Sequence, residues 1–219
     1  MSAEVSKHTK TVALFDLDGV IFDTEPQYDI FWGGICRDFM PEDPGMVSQM
    51  KGQTLTFILE RWFSGSRETL RDEVVRRLND FERGMKFLYV NGFPEFLAWL
   101  RERGARCAVV TSSNIPKMEN VYRSHPELSR DMDLILTSED FARSKPAPDC
   151  YLQAAARFNV GPEDCVVFED SLNGLRSGRA AGMTVVGLAT SLSKEVICPL
   201  SDIQIDDFLD PALMQRCLF

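Results

Sequence analysis

The run Val12-Ala13-Leu14-Phe15-Asp16-Leu17-Asp18-Gly19-Val20 constrains this chain more than any other segment. Val12 to Phe15 read as a short buried strand that delivers Asp16 and Asp18 to its carboxyl end, where Gly19 turns the chain. Side chains two apart on a strand point the same way. Two carboxylates are therefore held together at the edge of an apolar sheet, where like charges repel and resist desolvation. A cation or a shared proton makes such a pair tolerable. For an isolated Asp-x-Asp the plainer alternative is a strand ending in a solvated acidic turn.

Other segments repeat the arrangement. Val166-Val167-Phe168 is an apolar run ending in Glu169 and Asp170, and Ala108-Val109-Val110 runs into Thr111, Ser112, Ser113 and Asn114. Lys145 lies in the turn Ser144 to Asp149, just ahead of a helical stretch from Tyr151 to Phe158. Parallel α/β sheets gather functional groups outside the carboxyl ends of their strands. Taken singly, Thr111 and Ser112 read as a helix cap, Lys145 as a surface cation and Glu169-Asp170 as a solvated turn. Taken together they form one polar cluster.

On these residues the chain resembles the haloacid dehalogenase superfamily of phosphotransferases. Within it, the chain is similar to the branch of β-phosphoglucomutases and small sugar-phosphate phosphatases with a helical cap. The matching motifs are Asp16-Leu17-Asp18-Gly19-Val20, Thr111, Lys145 with Pro146, and Glu169-Asp170-Ser171, within a similarity running from about Thr11 to about Leu188. The resemblance implies an α/β fold, a Rossmann-like parallel sheet core with an inserted α-helical cap. The core is expected over residues 1–24 and 88–219 and the cap over 25–87. As a set the motifs are specific for the superfamily and weak on the substrate.

Phosphoryl transfer to a carboxylate needs an anionic nucleophile, neutralisation of the equatorial oxygens and a proton source for the leaving oxygen. Asp16 is assigned as the nucleophile that forms an aspartyl-phosphate, and Asp18 as the acid and then the base. Asp16, Asp170 and the backbone carbonyl of Asp18 offer hard oxygen ligands suited to Mg²⁺, and Glu169 either ligates directly or stands behind the ligands. Thr111 donates a hydrogen bond to the phosphoryl group and Lys145 supplies positive charge to it. By resemblance, Ser112, Ser113 and Asn114 touch the far end of the substrate, and Tyr28, Lys51 and Gln53 of the cap are carried as further contacts. Phe31 and Trp32 read as cap core.

Two departures weaken a mutase reading. The β-phosphoglucomutase pattern carries a cap histidine where this chain has Tyr28, and an arginine on a cap loop where it has Leu55. A mutase must hold a bisphosphate and so needs a second anion site. The expected activity is Mg²⁺-dependent hydrolysis of small phosphate monoesters, most plausibly sugar phosphates. β-Phosphoglucomutase is the nearest alternative, and a catalytically silent sugar-phosphate-binding protein is one from another class.

Bulk properties set limits. A formal net charge of −9 over 219 residues argues against a nucleic-acid surface and disfavours anionic substrates at long range, while the resemblance implies a small phosphorylated metabolite as partner. No apolar run approaches a membrane span, and Met1–Lys10 reads as a frayed end rather than a signal peptide. The six scattered cysteines suggest buried thiols in a reducing cytoplasm, and neither His8 nor His125 lies near a motif. A monomer is expected. From Glu25 to Phe87 apolar residues recur at helical spacing, at Tyr28, Phe31, Trp32 and Ile35, then Phe57, Ile58, Arg61 and Trp62, then Val74, Val75, Leu78 and Phe81. Pro41, Pro44, Gly45 and Gly65 punctuate this block. Beyond Asn91-Gly92, helices at Phe93–Arg103, Ile115–Arg123, Asp149–Asn159 and Leu172–Ala181 alternate with strands. The strands are placed at Arg106–Thr111, Leu134–Thr137, Cys165–Glu169 and Thr184–Leu188, which implies right-handed crossovers and a parallel sheet.

Overall fold

A computed structural model of the chain describes residues 11–42 and 45–210. Six strands, β1 (Val12–Phe15), β2 (Arg106–Val110), β3 (Leu134–Leu136), β4 (Cys165–Glu169), β5 (Thr184–Leu188) and β6 (Ile203–Ile205), form one sheet in the order β3-β2-β1-β4-β5-β6. Every pairing is parallel. The chain leaves β1 toward one edge and returns to build the other half from β4, so the topological switch lies between β1 and β4. In open α/β sheets this is where ligands bind, beyond the carboxyl ends of the strands. The register pairs Phe15 with Phe168 and with Val109, which brings Asp16 level with the end of β4. The Asp16 amide extends that ladder by donating to the Phe168 carbonyl at 3.0 Å.

Side-chain alternation divides the core into two layers. Ala13, Phe15, Cys107, Val109, Val166 and Phe168 face α5 (Phe93–Glu102) and α6 (Ile115–Ser124). Val12, Leu14, Ala108, Val110, Cys165 and Val167 face α8 (Asp149–Phe158) and α9 (Leu172–Ala180). The first layer is aromatic. Phe15 stacks on Phe168 with centroids 4.6 Å apart and meets Phe93, Phe96 and Phe208 at angles of 60–89°. This cluster sits directly beneath Asp16 and fixes the strand that presents it.

Between β1 and α5 the elements of the described residues are helical: α1 (Glu25–Phe39), α2 (Met46–Met50), α3 (Leu55–Trp62), a 3₁₀ turn at Gly65–Leu70 and α4 (Arg71–Arg83). They close over their own apolar cluster of Trp32, Ile35, Met50, Ile58, Phe63, Val74 and Leu78. Trp32 is buried there and Phe31 packs against it, as the helical spacing indicates. Met85 and Phe87 instead join the aromatic layer of the sheet. The sequence reading lacked β6, whose three residues leave little pattern, and the short helices α7 (Leu128–Asp131) and α10 (Lys194–Ile197). The Met1–Lys10 segment with His8, the turn signal at Pro44, and Cys217 lie outside the described residues.

Phe15 is fully buried in a ring cluster, so Phe15→Ala is expected to destabilise the fold by about 3–5 kcal/mol, read by chemical denaturation. A loss under about 1 kcal/mol would show that the aromatic layer does not anchor β1.

Candidate active site

Lys145 is fully buried at the carboxyl end of the sheet. Its ammonium donates to Asp16 Oδ1 at 2.8 Å, to Glu169 Oε1 at 2.6 Å and to the Val110 carbonyl at 3.2 Å, and so ties the ends of β1, β4 and β2 together. Burial alone depresses an ammonium, but Asp16 and Glu169 outweigh it and hold Lys145 well above the usual lysine range. Burial, the largest influence on Asp16, lifts its carboxyl to about 7; Lys145 pulls it down while Glu169 and Asp18 push it up.

Glu169 is held on both oxygens. Oε1 also accepts the Tyr151 hydroxyl at 2.8 Å, and Oε2 accepts the amides of Asp170 and Ser171 and the Ser171 hydroxyl at 3.1–3.3 Å. Asp170 accepts a hydrogen bond from the Ser191 hydroxyl. Burial, and then Glu25, Glu169 and Asp16, push its carboxyl well above the usual aspartate range. Gly19 has φ +70°, and a Cβ there would lie 2.0 Å from Asp170 Oδ2, so the turn after Asp18 must be glycine. Asp16, Glu169 and Asp170 bring carboxylate oxygens within 4.8 Å of one another. Three buried carboxyls share one ammonium and would carry excess negative charge if all were ionised, and an all-oxygen donor set of this kind fits a hard divalent cation such as Mg²⁺.

Asp18 faces the helical segment. Its Oδ1 accepts the Thr24 hydroxyl, and its Oδ2 accepts the Ser113 hydroxyl at 3.1 Å and pairs with the Lys117 ammonium. Lys117 is buried, with its ammonium 4.6 Å from the centroid of the Tyr28 ring. The Tyr28 hydroxyl donates to Glu82 Oε1 at 2.7 Å. Burial keeps that phenol protonated, with Asp18 and Glu82 adding to the effect.

The remaining sequence candidates line the same cleft between sheet and helices: Thr111, Ser112, Ser113, Asn114, Tyr28, Lys51 and Gln53. Thr111 is buried, and its hydroxyl oxygen accepts the Ser113 amide at 3.0 Å. Asn114 commits its side-chain oxygen to capping α6, accepting from the Lys117 amide at 3.1 Å. Lys51 is held by Glu25 at 3.0 Å and Asp29 at 2.9 Å. Gln53 accepts the Ser144 hydroxyl, while Ser112 donates to the Gly52 carbonyl and Asn173 to the Lys51 carbonyl, so this loop is stapled to the sheet side. His125 lies apart, between the Phe87 carbonyl and Glu127.

Sequence reading missed Lys117, Thr24, Tyr151, Ser191 and Glu82. Lys117 carried one usable signal. A lysine in the first turn of a helix opposes the helix dipole and calls for an anionic partner nearby.

The Asp16 carboxyl supplies a pH test. Its folded value of about 7 exceeds the ~3.9 of an unfolded aspartate, so in the metal-free chain its stabilising contribution is full at low pH and lost as pH rises through about 7. A bound cation favours the ionised form. Added Mg²⁺ is expected to raise Tm more at about pH 8 than at about pH 5, where it must displace protons. Equal shifts by differential scanning fluorimetry would contradict a cation site at these carboxylates.

Known proteins resemble this chain in sequence and in fold. A family profile described as haloacid dehalogenase-like hydrolase matches residues 10–182. Hexitol phosphatase B of Escherichia coli strain K12 is 26% identical over 208 residues, covering 90% of this chain and 92% of that protein. β-Phosphoglucomutase of Bacillus subtilis strain 168 is 30% identical, covering 80% and 81%. Among solved structures, a hydrolase from Pseudomonas syringae superposes with a TM-score of 0.78 at 20% identity, over 94% of this chain and 98% of that one. The profile spans both acidic strand ends and the lysine turn between them, and the chain belongs to the haloacid dehalogenase-like hydrolase family.

Proposed function

We propose that this chain is a Mg²⁺-dependent phosphatase of small phosphate monoesters, sugar phosphates in particular. The observation that carries this reading is Asp16, buried at the topological switch, hydrogen-bonded to Lys145 and grouped with Asp170. Hexitol phosphatase among the relatives favours a sugar-phosphate substrate. On this reading the sheet and its flanking helices form the catalytic core, and the helices from α1 to α4 form the cap that covers it. The buried thiols Cys107 and Cys150 fit a cytoplasmic setting.

Asp16 and Asp170 would hold the Mg²⁺ with the Asp18 carbonyl, and Glu169, whose oxygens are engaged within the protein, would orient Lys145 behind them. When bound, the ion neutralises charge on the phosphoryl oxygens and holds Asp16 ionised. Asp16 Oδ2 attacks phosphorus, the phosphorus–oxygen bond to the leaving group breaks, and the Asp18 carboxyl gives its proton to the departing oxygen. Asp18, now a carboxylate, takes a proton from water whose oxygen attacks the phosphorus of the aspartyl-phosphate, releasing phosphate and restoring Asp16. Thr111 and Lys145 stabilise the equatorial oxygens throughout. Thr24, Ser113 and Lys117 fix the orientation of Asp18.

Hydrolysis is favoured over a mutase cycle. A second phosphate needs a cation at the cap end, yet Lys51 is engaged by two carboxylates, Lys117 by Asp18, and Leu55 lines the cleft.

Asp16→Asn is expected to lower turnover of hexose and hexitol phosphates by about three orders of magnitude or more. EDTA should abolish wild-type activity and Mg²⁺ should restore it. Phosphate release should outpace isomerisation of β-glucose 1-phosphate in the presence of glucose 1,6-bisphosphate. Undiminished turnover in Asp16→Asn, or isomerisation with little phosphate released, would overturn the assignment.

A further inference from the structure

The exposed charges of α4 pair at the surface: Arg76 with Glu73 and Asp80, and Arg77 with Glu73 and Asp38. Glu82 departs from that pattern. It is 4% exposed, on a helix that lies against α6, and it lines the cleft with Lys117 and Asp18. One oxygen, Oε1, accepts a hydrogen bond from the Tyr28 hydroxyl; the other, Oε2, is buried without a hydrogen-bond partner among the described residues. Buried carboxylate oxygens are almost always paired, because desolvating one without a donor is costly. Tyr28 has a single proton to give, and it is already placed on Oε1.

The surroundings define what can complete this group. The Tyr28 ring lies beneath the Lys117 ammonium, and Lys117 is anchored to Asp18, so Glu82 is tied through two side chains to the acid–base carboxylate. A cationic donor would meet the Lys117 ammonium beside it. An anion would meet Glu82, and also Glu25 and Asp29, which already engage Lys51. A neutral hydroxyl suffers neither repulsion. We propose that Glu82 Oε2 accepts a hydrogen bond from a hydroxyl on the non-reacting end of the substrate. The cleft thereby selects phosphate monoesters of neutral polyols over monoesters that carry a second anion. The inference rests on the phosphatase reading and specifies the substrate class of the same site.

The test compares hexitol 6-phosphate with 6-phosphogluconate, which differ at the far end by a hydroxymethyl against a carboxylate. With Mg²⁺ present, the wild-type kcat/KM should favour the hexitol phosphate by about tenfold or more, the scale of one hydrogen bond to a buried charge. Glu82→Gln, which keeps the shape and the Tyr28 contact, should reduce that ratio by about tenfold with Tm retained. The same two compounds titrated calorimetrically into Asp16→Asn and into Asp16→Asn with Glu82→Gln give the ratio of affinities without turnover. A wild-type preference for 6-phosphogluconate, or a ratio unmoved by Glu82→Gln, overturns the role of Glu82 whether or not phosphate is released. No phosphate release from either compound, with an affinity ratio that still shifts in Glu82→Gln, overturns the phosphatase reading and keeps the polyol contact. If Glu82→Gln does not fold, the wild-type ratio decides alone.

Discussion

A fully buried ammonium holds the catalytic end of this sheet together. Removing a lysine head group from water costs several kcal/mol, and the cost is offset only where carboxylates meet it with good geometry. Asp16 and Glu169 do so at 2.8 and 2.6 Å, and each depends on something further. Asp16 is positioned by β1, whose Phe15 is locked into the ring cluster beneath it. Glu169 is positioned by Tyr151 from α8 and by the amides that open α9. Sheet register, aromatic layer and helix start therefore converge on one nitrogen atom.

The same arrangement leaves an imbalance that function can use. One ammonium is shared by Asp16 and Glu169, Asp170 stands beside them, and burial raises both aspartate carboxyls. A chain with formal net charge −9 does not attract a phosphate dianion from a distance. In the proposed phosphatase, capture would come from a cation at these oxygens together with Lys145 and Thr111. On the opposite wall each lysine is already committed, Lys117 to Asp18 and Lys51 to Glu25 and Asp29, so this wall offers acceptors and aromatic surface rather than a second anion site. On the proposed reading the two walls divide the work, one handling the phosphoryl group and the other reading what is attached to it.

The catalytic half was legible in the sequence because strand ends carry a local signature. Val12–Phe15 and Cys165–Glu169 are short apolar runs that stop at acids, and a parallel sheet brings such ends together without further information. The rest of the cleft was less legible. Glu82 and Lys117 sit in helices whose neighbouring charges are solvated, and only the packing of α4 against α6 buries them. Lys51 and Asn114 line the cleft, yet their partners, two carboxylates for one and a helix amide for the other, depend on contacts that sequence spacing does not encode. β6 adds only Ile203, Gln204 and Ile205 to the sheet edge, too short a run to register as a strand.

The proposed function requires Asp16 to be the group that receives the phosphoryl. Acid quench of the Mg²⁺-loaded enzyme during turnover of p-nitrophenyl phosphate, followed by peptide mass spectrometry, reads this directly. The account predicts a phosphoryl group on Asp16 of the wild-type chain and none in Asp16→Asn. Turnover with the phosphoryl on another side chain, or with no phosphorylated residue at any quench time, would contradict it.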